Sequence, residues 1–218
     1  MRFSKHSLCL AATLATIAAA PSAQAGDIIN TFQPSGTFQN AGRVVQGPDV
    51  HNIGDVDQAA QFLTGGFNYS GISIQLGIYV SDPNNSPFDG RGPVKLSINS
   101  DSGSDTPGTE LASATVNANF FQQGTIGTTF GSLDLLPNTK YWVVMDGQTV
   151  FDGAWEFNDN GYKGTTAGRS DGTPWSNRLN DDQLAFRVVA RTQTVPEPAS
   201  MAALGLGAVA VLKRRKKA

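Results

Sequence analysis

The 218-residue chain has little of the chemistry that most enzymes and metal sites use. It contains one cysteine, Cys9, and two histidines, of which only His51 lies outside the first 25 residues. Without a second cysteine the body forms no internal disulfide and no cysteine-based zinc site. A Ser-His-Asp triad would depend on His51 alone, and residues 47–52 around it have the composition of a surface loop. The sequence therefore predicts no catalytic, cofactor-binding or metal-binding residues, and no enzyme.

Basic residues are scarce in the middle of the chain. Residues 26–195 hold nine basic and 17 acidic residues, and the remaining basic residues lie in the two ends. A protein that binds nucleic acid needs a concentrated basic surface to face the phosphates. The composition therefore argues against nucleic acid as a partner.

The N-terminal end has the three parts of a secretory signal peptide. Two basic residues, Arg2 and Lys5, precede an apolar run over 8–20, and Ala23 and Ala25 supply the Ala-x-Ala pattern that signal peptidase accepts. The run spans about 20 Å as a helix, which is short for a hydrocarbon core of about 30 Å. We expect residues 1–25 to be removed and Gly26 to become the first residue.

The C-terminal end consists of a Pro-Glu-Pro motif, an apolar stretch over 199–212 and a basic cluster. The motif is Pro196, Glu197 and Pro198, and the cluster is Lys213, Arg214, Arg215, Lys216 and Lys217. These parts, in this order, resemble the PEP-CTERM sorting signal of Gram-negative bacteria. The resemblance implies that residues 195–218 are a sorting segment, and that exosortase, a membrane protease, removes it.

Each part of this segment has a physical role. The prolines fix their own φ angles and favour extended residues before them, so the motif is a helix-free strip that a protease can grip. The apolar stretch predicts one short hydrophobic helix of about 21 Å, which anchors the chain transiently in the inner membrane. The basic cluster acts as a stop-transfer signal, because basic residues stay on the cytoplasmic side and leave the body outside.

The body shows the two-residue period of β-strands and no sustained helical period. Aliphatic residues occupy every even position of 72–80, and 94–98 repeats the alternation, whereas 140–145 is apolar on both faces. Asp146-Gly147 predicts a hairpin turn with 148–151 as the return strand. Further strands are predicted at 28–32, 61–69, 111–116, 128–135, 154–157 and 184–191.

About nine strands with loops rich in Gly, Asn, Asp and Ser predict an all-β body over 26–194, an antiparallel β-sandwich or jelly roll with a long loop over 81–93. Residues 100–112 and 135–144 are similar to the choice-of-anchor R domain. That family carries alternative C-terminal anchors on β-rich extracellular bodies. The resemblance implies architecture and no catalysis.

Acidic residues allow two minor hypotheses. Asp101, Gly103 and Asp105 resemble half of an EF-hand loop, but Thr106 replaces its glycine and Glu110 comes two residues too early. Calcium could also bind in the long loop through Asp82, Asn84, Asn85 and Asp89, although such residues are what turns prefer. Two carboxylate pairs, Asp152 with Glu156 and Asp181 with Asp182, would suit a secreted hydrolase.

Four aromatic residues raise the question of sugar binding. Trp142 lies in a strand that is apolar on both faces, and Trp155 shares a strand face with Phe157, so both are predicted to be core residues. Trp175 and Tyr162 lie in polar surroundings. Trp175 is the candidate glycan contact, and an indole folded back over the end of the body is the alternative.

These patterns predict an exported, non-enzymatic protein that exosortase processes and releases to the cell surface or extracellular matrix of a Gram-negative bacterium. The partners in processing are signal peptidase, exosortase and, transiently, the inner membrane. The alternative is a glycan-binding module of the exopolysaccharide matrix, and a secreted hydrolase is the third hypothesis.

Overall fold

A computed structural model describes residues 25–50, 54–84 and 89–193. Within these ranges every regular element is a β-strand and every strand pair is antiparallel, which confirms the all-β prediction. The strands are β1 (Ala25–Asn30), β2 (Gly42–Gln46), β3 (Val56–Leu63), β4 (Asn68–Val80), β5 (Gly92–Asp101), β6 (Pro107–Ala118), β7 (Gln122–Leu135), β8 (Lys140–Gly147), β9 (Asp152–Glu156), β10 (Lys163–Ser170), β11 (Ser176–Asp182) and β12 (Phe186–Gln193).

The strands form two groups within one continuous open sheet. The first group has the order β6-β5-β8-β3-β10-β11. In the second group the long strand β4 pairs with β7 along one edge and with β12 and then β9 along the other, and β1 extends the sheet beyond β12. Strand β2 joins the groups by pairing with both β9 and β3.

Buried side chains from both groups belong to one hydrophobic core. The even positions of β4 from Ile72 to Val80 are all buried, as the alternation predicts. They share the core with Leu96 of β5 and Phe186 of β12. Burying an aliphatic or aromatic side chain of this size stabilises a fold by roughly 1.5–3 kcal/mol. The alternation therefore determines which face of β4 packs on the core.

Strand β8 is buried on both faces, as its uninterrupted apolar run predicts. Tyr141, Val143 and Met145 face the main core. Trp142 and Val144 face the opposite way into a small second cluster. Ala59 of β3, Ala167 of β10 and the half-buried Trp175 complete that cluster, so the outer face of the first group is covered at this point.

The strand predicted at 61–69 is wrong, because it joins two different strands. Strand β3 ends at Leu63 and β4 begins at Asn68. Gly65 and Gly66 interrupt the run, and the backbone of Gly65 approaches the hydroxyl of Tyr69 so closely that a Cβ there would lie 2.7 Å from it.

The hairpin predicted at Asp146-Gly147 is also wrong. Strand β8 continues through Gly147, which pairs with Val94 of β5, and 148–151 is a turn that leads to β9 in the other group. A two-residue Asn-Gly or Asp-Gly turn needs positive φ at both residues, and Gly147 does not have it, whereas Thr149 does at φ 47°.

Three strands have no counterpart in the sequence prediction, namely β2, β10 and β11. Strand β11 is polar along almost its whole length, and β10 contains two glycines, so neither shows an apolar alternation. The turn between them contains Asp171-Gly172, and both residues have positive φ, at 49° and 67°. The Asp-Gly pair therefore forms the turn of the β10–β11 hairpin.

Candidate functional site

Three carboxylates meet on the outer face of the first strand group. Asp57 of β3 lies one step beyond the Gln58–Met145 pair, which places it beside Asp146 of β8, and Asp55 lies two residues earlier on the same side of the chain. One carboxylate oxygen from each residue lies within 4.8 Å of the others. We call Asp55, Asp57 and Asp146 the acidic trio.

A cationic residue flanks the trio on each side. Arg169 of β10 pairs in register with Asp57, and its Nε donates a hydrogen bond of 2.6 Å to Oδ2 of Asp57. Lys95 of β5 pairs in register with Asp146, but its Nζ lies 2.7 Å from Oε2 of Glu110. The four strands thus present a row of charges, positive at its two ends and negative at its centre.

The pKa of Asp146 is raised to about 7, first by burial and then by the charges of Asp57 and Asp55. Burial and then the charge of Asp57 raise the pKa of Asp55, with a smaller contribution from Asp171, while the charge of Arg169 acts to lower it. Asp57 is only 1% exposed, and its Oδ1, like Oδ1 of Asp55, is buried without a hydrogen-bond partner. Chemically, the trio offers oxygen ligands of the kind that calcium prefers, and it can hold a proton near neutral pH.

Trp175 lies beside this trio. Its half-buried ring packs against the second cluster, and the guanidinium of Arg169 stands 4.7 Å from the ring centroid. Arg169 therefore bridges Asp57 and Trp175. The indole is folded back onto the outer face of the sheet, which leaves less of the ring available to a sugar than an exposed indole would offer.

Of the other three aromatic candidates, two are buried and one is exposed. Trp142 and Trp155 are fully buried, which confirms both as core residues. The indole Nε1 of Trp155 donates a hydrogen bond of 2.9 Å to the carbonyl of Ala185. Tyr162 is exposed and precedes β10.

The loop carboxylates considered for calcium are engaged within the chain. Oδ2 of Asp101 accepts a hydrogen bond of 2.9 Å from the amide of Gly103, and Asp105 pairs with Lys140. Asp82 accepts from the amide of Asn84, and Asp89 pairs with Arg91. Asn85 lies outside the described residues. These contacts are those of turn-forming Asp and Asn residues.

The two carboxylate pairs considered for hydrolysis likewise have structural partners. Asp152 accepts a hydrogen bond of 2.8 Å from Nε2 of Gln46. Asp181 pairs with Arg43 at 2.6 Å, and Asp182 pairs with Lys163. Glu156 differs, because it is 2% exposed, its Oε2 has no hydrogen-bond partner, and burial raises its pKa to about 7.

The residues predicted to act in sorting lie outside the described ranges, with one exception. Ala25 begins β1, whereas Ala23, the Pro-Glu-Pro motif and the basic cluster are not described, and neither is His51, on which a Ser-His-Asp triad would depend. Within the described ranges there is no helix of the length and apolarity needed to cross a membrane.

Comparison with protein families identifies the C-terminal segment. Residues 194–217 match the family described as the PEP-CTERM protein-sorting motif. The chain carries a sorting signal for export. This signal marks an exosortase target that passes through the membrane to the cell surface. No curated protein matches the chain.

Sequence reasoning missed the acidic trio. Asp55 and Asp57 are separated from Asp146 by about 90 positions, and no local motif links them. The signal in the sequence is an aspartate near one end of each of two apolar strands, Asp57 in β3 and Asp146 in β8. It indicates a cluster only when the pairing of β3 with β8 is known.

Proposed function

We propose that the chain is a non-enzymatic surface protein, which exosortase cuts near Pro196-Glu197-Pro198 and releases to the outer surface or extracellular matrix of a Gram-negative bacterium. The observation that carries the proposal is the sorting signal over 194–217. Signal peptidase acts first, at Ala25, and the inner membrane holds the protein only between the two cuts.

The contacts of the body support a structural role for its polar residues. The carboxylates considered for hydrolysis at 152, 181 and 182 each hold a neighbouring strand or side chain through a hydrogen bond or ion pair. These contacts give each of the three carboxylates a role in the fold that requires no substrate.

We also propose that the body is a β-sandwich of the choice-of-anchor R kind. The support for the sandwich is the main core that both strand groups share, in which Leu96 of the first group and Ile78 of the second belong to one cluster. A sandwich buries the inner faces of two sheets against each other in this way. The support for the family is the resemblance of residues 100–112 and 135–144.

A second candidate function is glycan binding in the exopolysaccharide matrix. It is supported by the position of Trp175 next to the acidic trio, because sugar sites combine an aromatic surface with polar groups that bind hydroxyls. Loss of glycan-array binding in a Trp175→Ala variant would favour this function, and an array without signal would favour the first.

The experiment that tests the leading proposal is the intact mass and location of the protein in cells with and without exosortase. With the protease, we expect a chain that begins at Gly26, ends near residue 198 and leaves the inner membrane. Without it, we expect the same N-terminus with the tail retained in the membrane fraction. The same mass and location in both strains would contradict the proposal.

A further inference from the structure

Three of the most exposed hydrophobic side chains lie at one end of the body. Leu63 ends β3 and is 61% exposed, Phe67 lies in the β3–β4 turn and is 62% exposed, and Leu136 follows β7 and is 63% exposed. We call these three residues the apolar end patch. Large exposed apolar side chains grouped in one place mark a contact surface more often than isolated ones do.

The two turns that carry the patch are bonded to each other. The hydroxyl of Thr64 donates a hydrogen bond of 2.7 Å to the carbonyl of Leu136. The amide of Asn138 donates one of 2.9 Å to the carbonyl of Gly65. The two turns are therefore held together, which keeps all three residues of the patch at one end of the body.

The chain leaves the body at this same end. In the β4–β12 pair, Gln193 lies opposite Asn68, which directly follows Phe67, and Thr192 lies opposite Tyr69, which also pairs with Leu135. The N-terminal strand starts nearby, because Ala25 lies opposite Arg191. Both processed ends of the body thus lie beside the patch.

The distance from the body to the apolar stretch of the sorting segment is limited by the chain itself. Residues 194–198 separate Gln193 from that stretch over 199–212. Five residues span at most about 17 Å when fully extended. If the apolar stretch anchors the chain, as the proposed function holds, Gln193 is kept within about that distance of the bilayer surface, and the patch lies at the same end of the body.

We propose that the apolar end patch rests on the lipid surface of the membrane for as long as the uncut tail anchors the chain. This inference depends on the proposed function and adds an orientation to it. Insertion of leucine and phenylalanine side chains at the boundary between headgroups and acyl chains lowers the free energy of the system. The contact holds the Pro-Glu-Pro motif at the membrane, where a membrane protease acts. The apolar contact made by three side chains is too weak to retain the body at the membrane after the tail is cut, so the body is released.

The test places a fluorescent probe at two positions of the chain over 26–218, from which the signal peptide has been removed and in which the tail is uncut. This chain has no native cysteine, so an introduced Phe67→Cys or Val150→Cys is its only one. Val150 is 50% exposed, so it is a matched control. It lies in the turn before β9, which pairs with Val80 at the far end of β4. Each protein is incorporated into phosphatidylethanolamine–phosphatidylglycerol vesicles that contain nitroxide-labelled lipid.

We expect the probe at position 67 to be quenched several-fold more strongly than the probe at position 150, while both proteins float with the vesicles. Equal quenching at the two positions in floating protein would overturn the lipid contact and leave the anchor intact. A chain that does not float would overturn the anchoring function and this inference together. A dimer in which the probes at position 67 quench each other would overturn lipid as the occupant in favour of a second copy.

A second set of proteins separates the patch from the probe. With the probe at Asn138→Cys, the substitutions Leu63→Ser, Phe67→Ser and Leu136→Ser are expected to lower quenching to the level seen at position 150, with flotation retained. All three side chains are exposed, so the fold does not depend on them. Unchanged quenching in this variant would overturn the patch as the contact surface.

Discussion

The indole Nε1 of Trp142 donates a hydrogen bond of 2.8 Å to Oδ1 of Asp101. Trp142 is fully buried in the second cluster, and Asp101 ends β5 at the start of the loop that resembles half of an EF-hand. The same carboxylate accepts hydrogen bonds from Gln61 and from the amide of Gly103. Asp101 therefore joins a buried tryptophan, a neighbouring strand and a loop.

The first prediction is that Asp101→Ala destabilises the body by about 1–3 kcal/mol, because the buried indole N–H loses its acceptor. The measurement is the free energy of unfolding from urea denaturation. Asp159→Ala is the control, since Asp159 is an exposed aspartate in a loop. Equal stability of the two variants would show that the Trp142 bond contributes nothing to the fold.

The second prediction concerns Glu156 and Asp146, whose pKa values are both raised to about 7. An acid with a raised pKa in the folded state binds more protons there than in the unfolded chain, so stability falls as pH rises from about 4 through about 7. Above pH 5 the acids with lowered pKa, such as Glu110, are ionised in both states and contribute no slope. We expect a higher melting temperature at pH 5.5 than at pH 8.5.

The variants Glu156→Gln and Asp146→Asn test whether these two residues cause the fall in melting temperature with rising pH. Each keeps the size of the side chain and removes the charge, so each is expected to raise the melting temperature at pH 8.5 and to flatten its fall with pH. Asp159→Asn again serves as the exposed control. A slope that is the same in both variants and in the parent protein would refute the assignment.

The third prediction is that the body folds without a divalent cation. Arg169 already donates a hydrogen bond to Oδ2 of Asp57 in the acidic trio. The raised pKa of Asp146 favours its protonated form near neutral pH. We expect the same melting temperature in a chelator as in calcium. A rise with calcium that disappears in Asp57→Asn would instead make the trio a cation site.

The sequence predicted those parts of the fold whose signal is local. Alternating aliphatic residues located β4 and β5, and the run at 140–145 correctly predicted a strand buried on both faces. Strands β2, β10 and β11 lack that signal, because they are short or polar and are stabilised mainly by their neighbours. The Asp-Gly pattern predicted the wrong turn at 146–147, since φ there is set by the pairing of Gly147 with Val94.

The candidate site could not be predicted in the same way. Asp57 and Asp146 become neighbours only through the register of β3 with β8, and Arg169 reaches them from β10, a strand without an apolar pattern. The sorting segment is the opposite case. Its three parts are contiguous in sequence, so residues 194–217 carry the whole signal.

The last prediction is that Pro196-Glu197-Pro198 and the basic cluster are separable parts of one signal. Replacing both prolines by alanine lets the helix predicted for the neighbouring Ala-rich stretch extend through the motif, which places the backbone that a protease must grip in helical hydrogen bonds. We expect an uncut protein that stays in the membrane. Replacing Lys213, Arg214, Arg215, Lys216 and Lys217 by neutral residues removes the proposed stop-transfer signal, so we expect a stretch of only 14 residues to pass through the membrane. That variant is expected outside the inner membrane with its tail intact. Mass and fractionation of the two variants distinguish these failures, and normal maturation of both to the same shortened mass would show that neither part is needed for sorting.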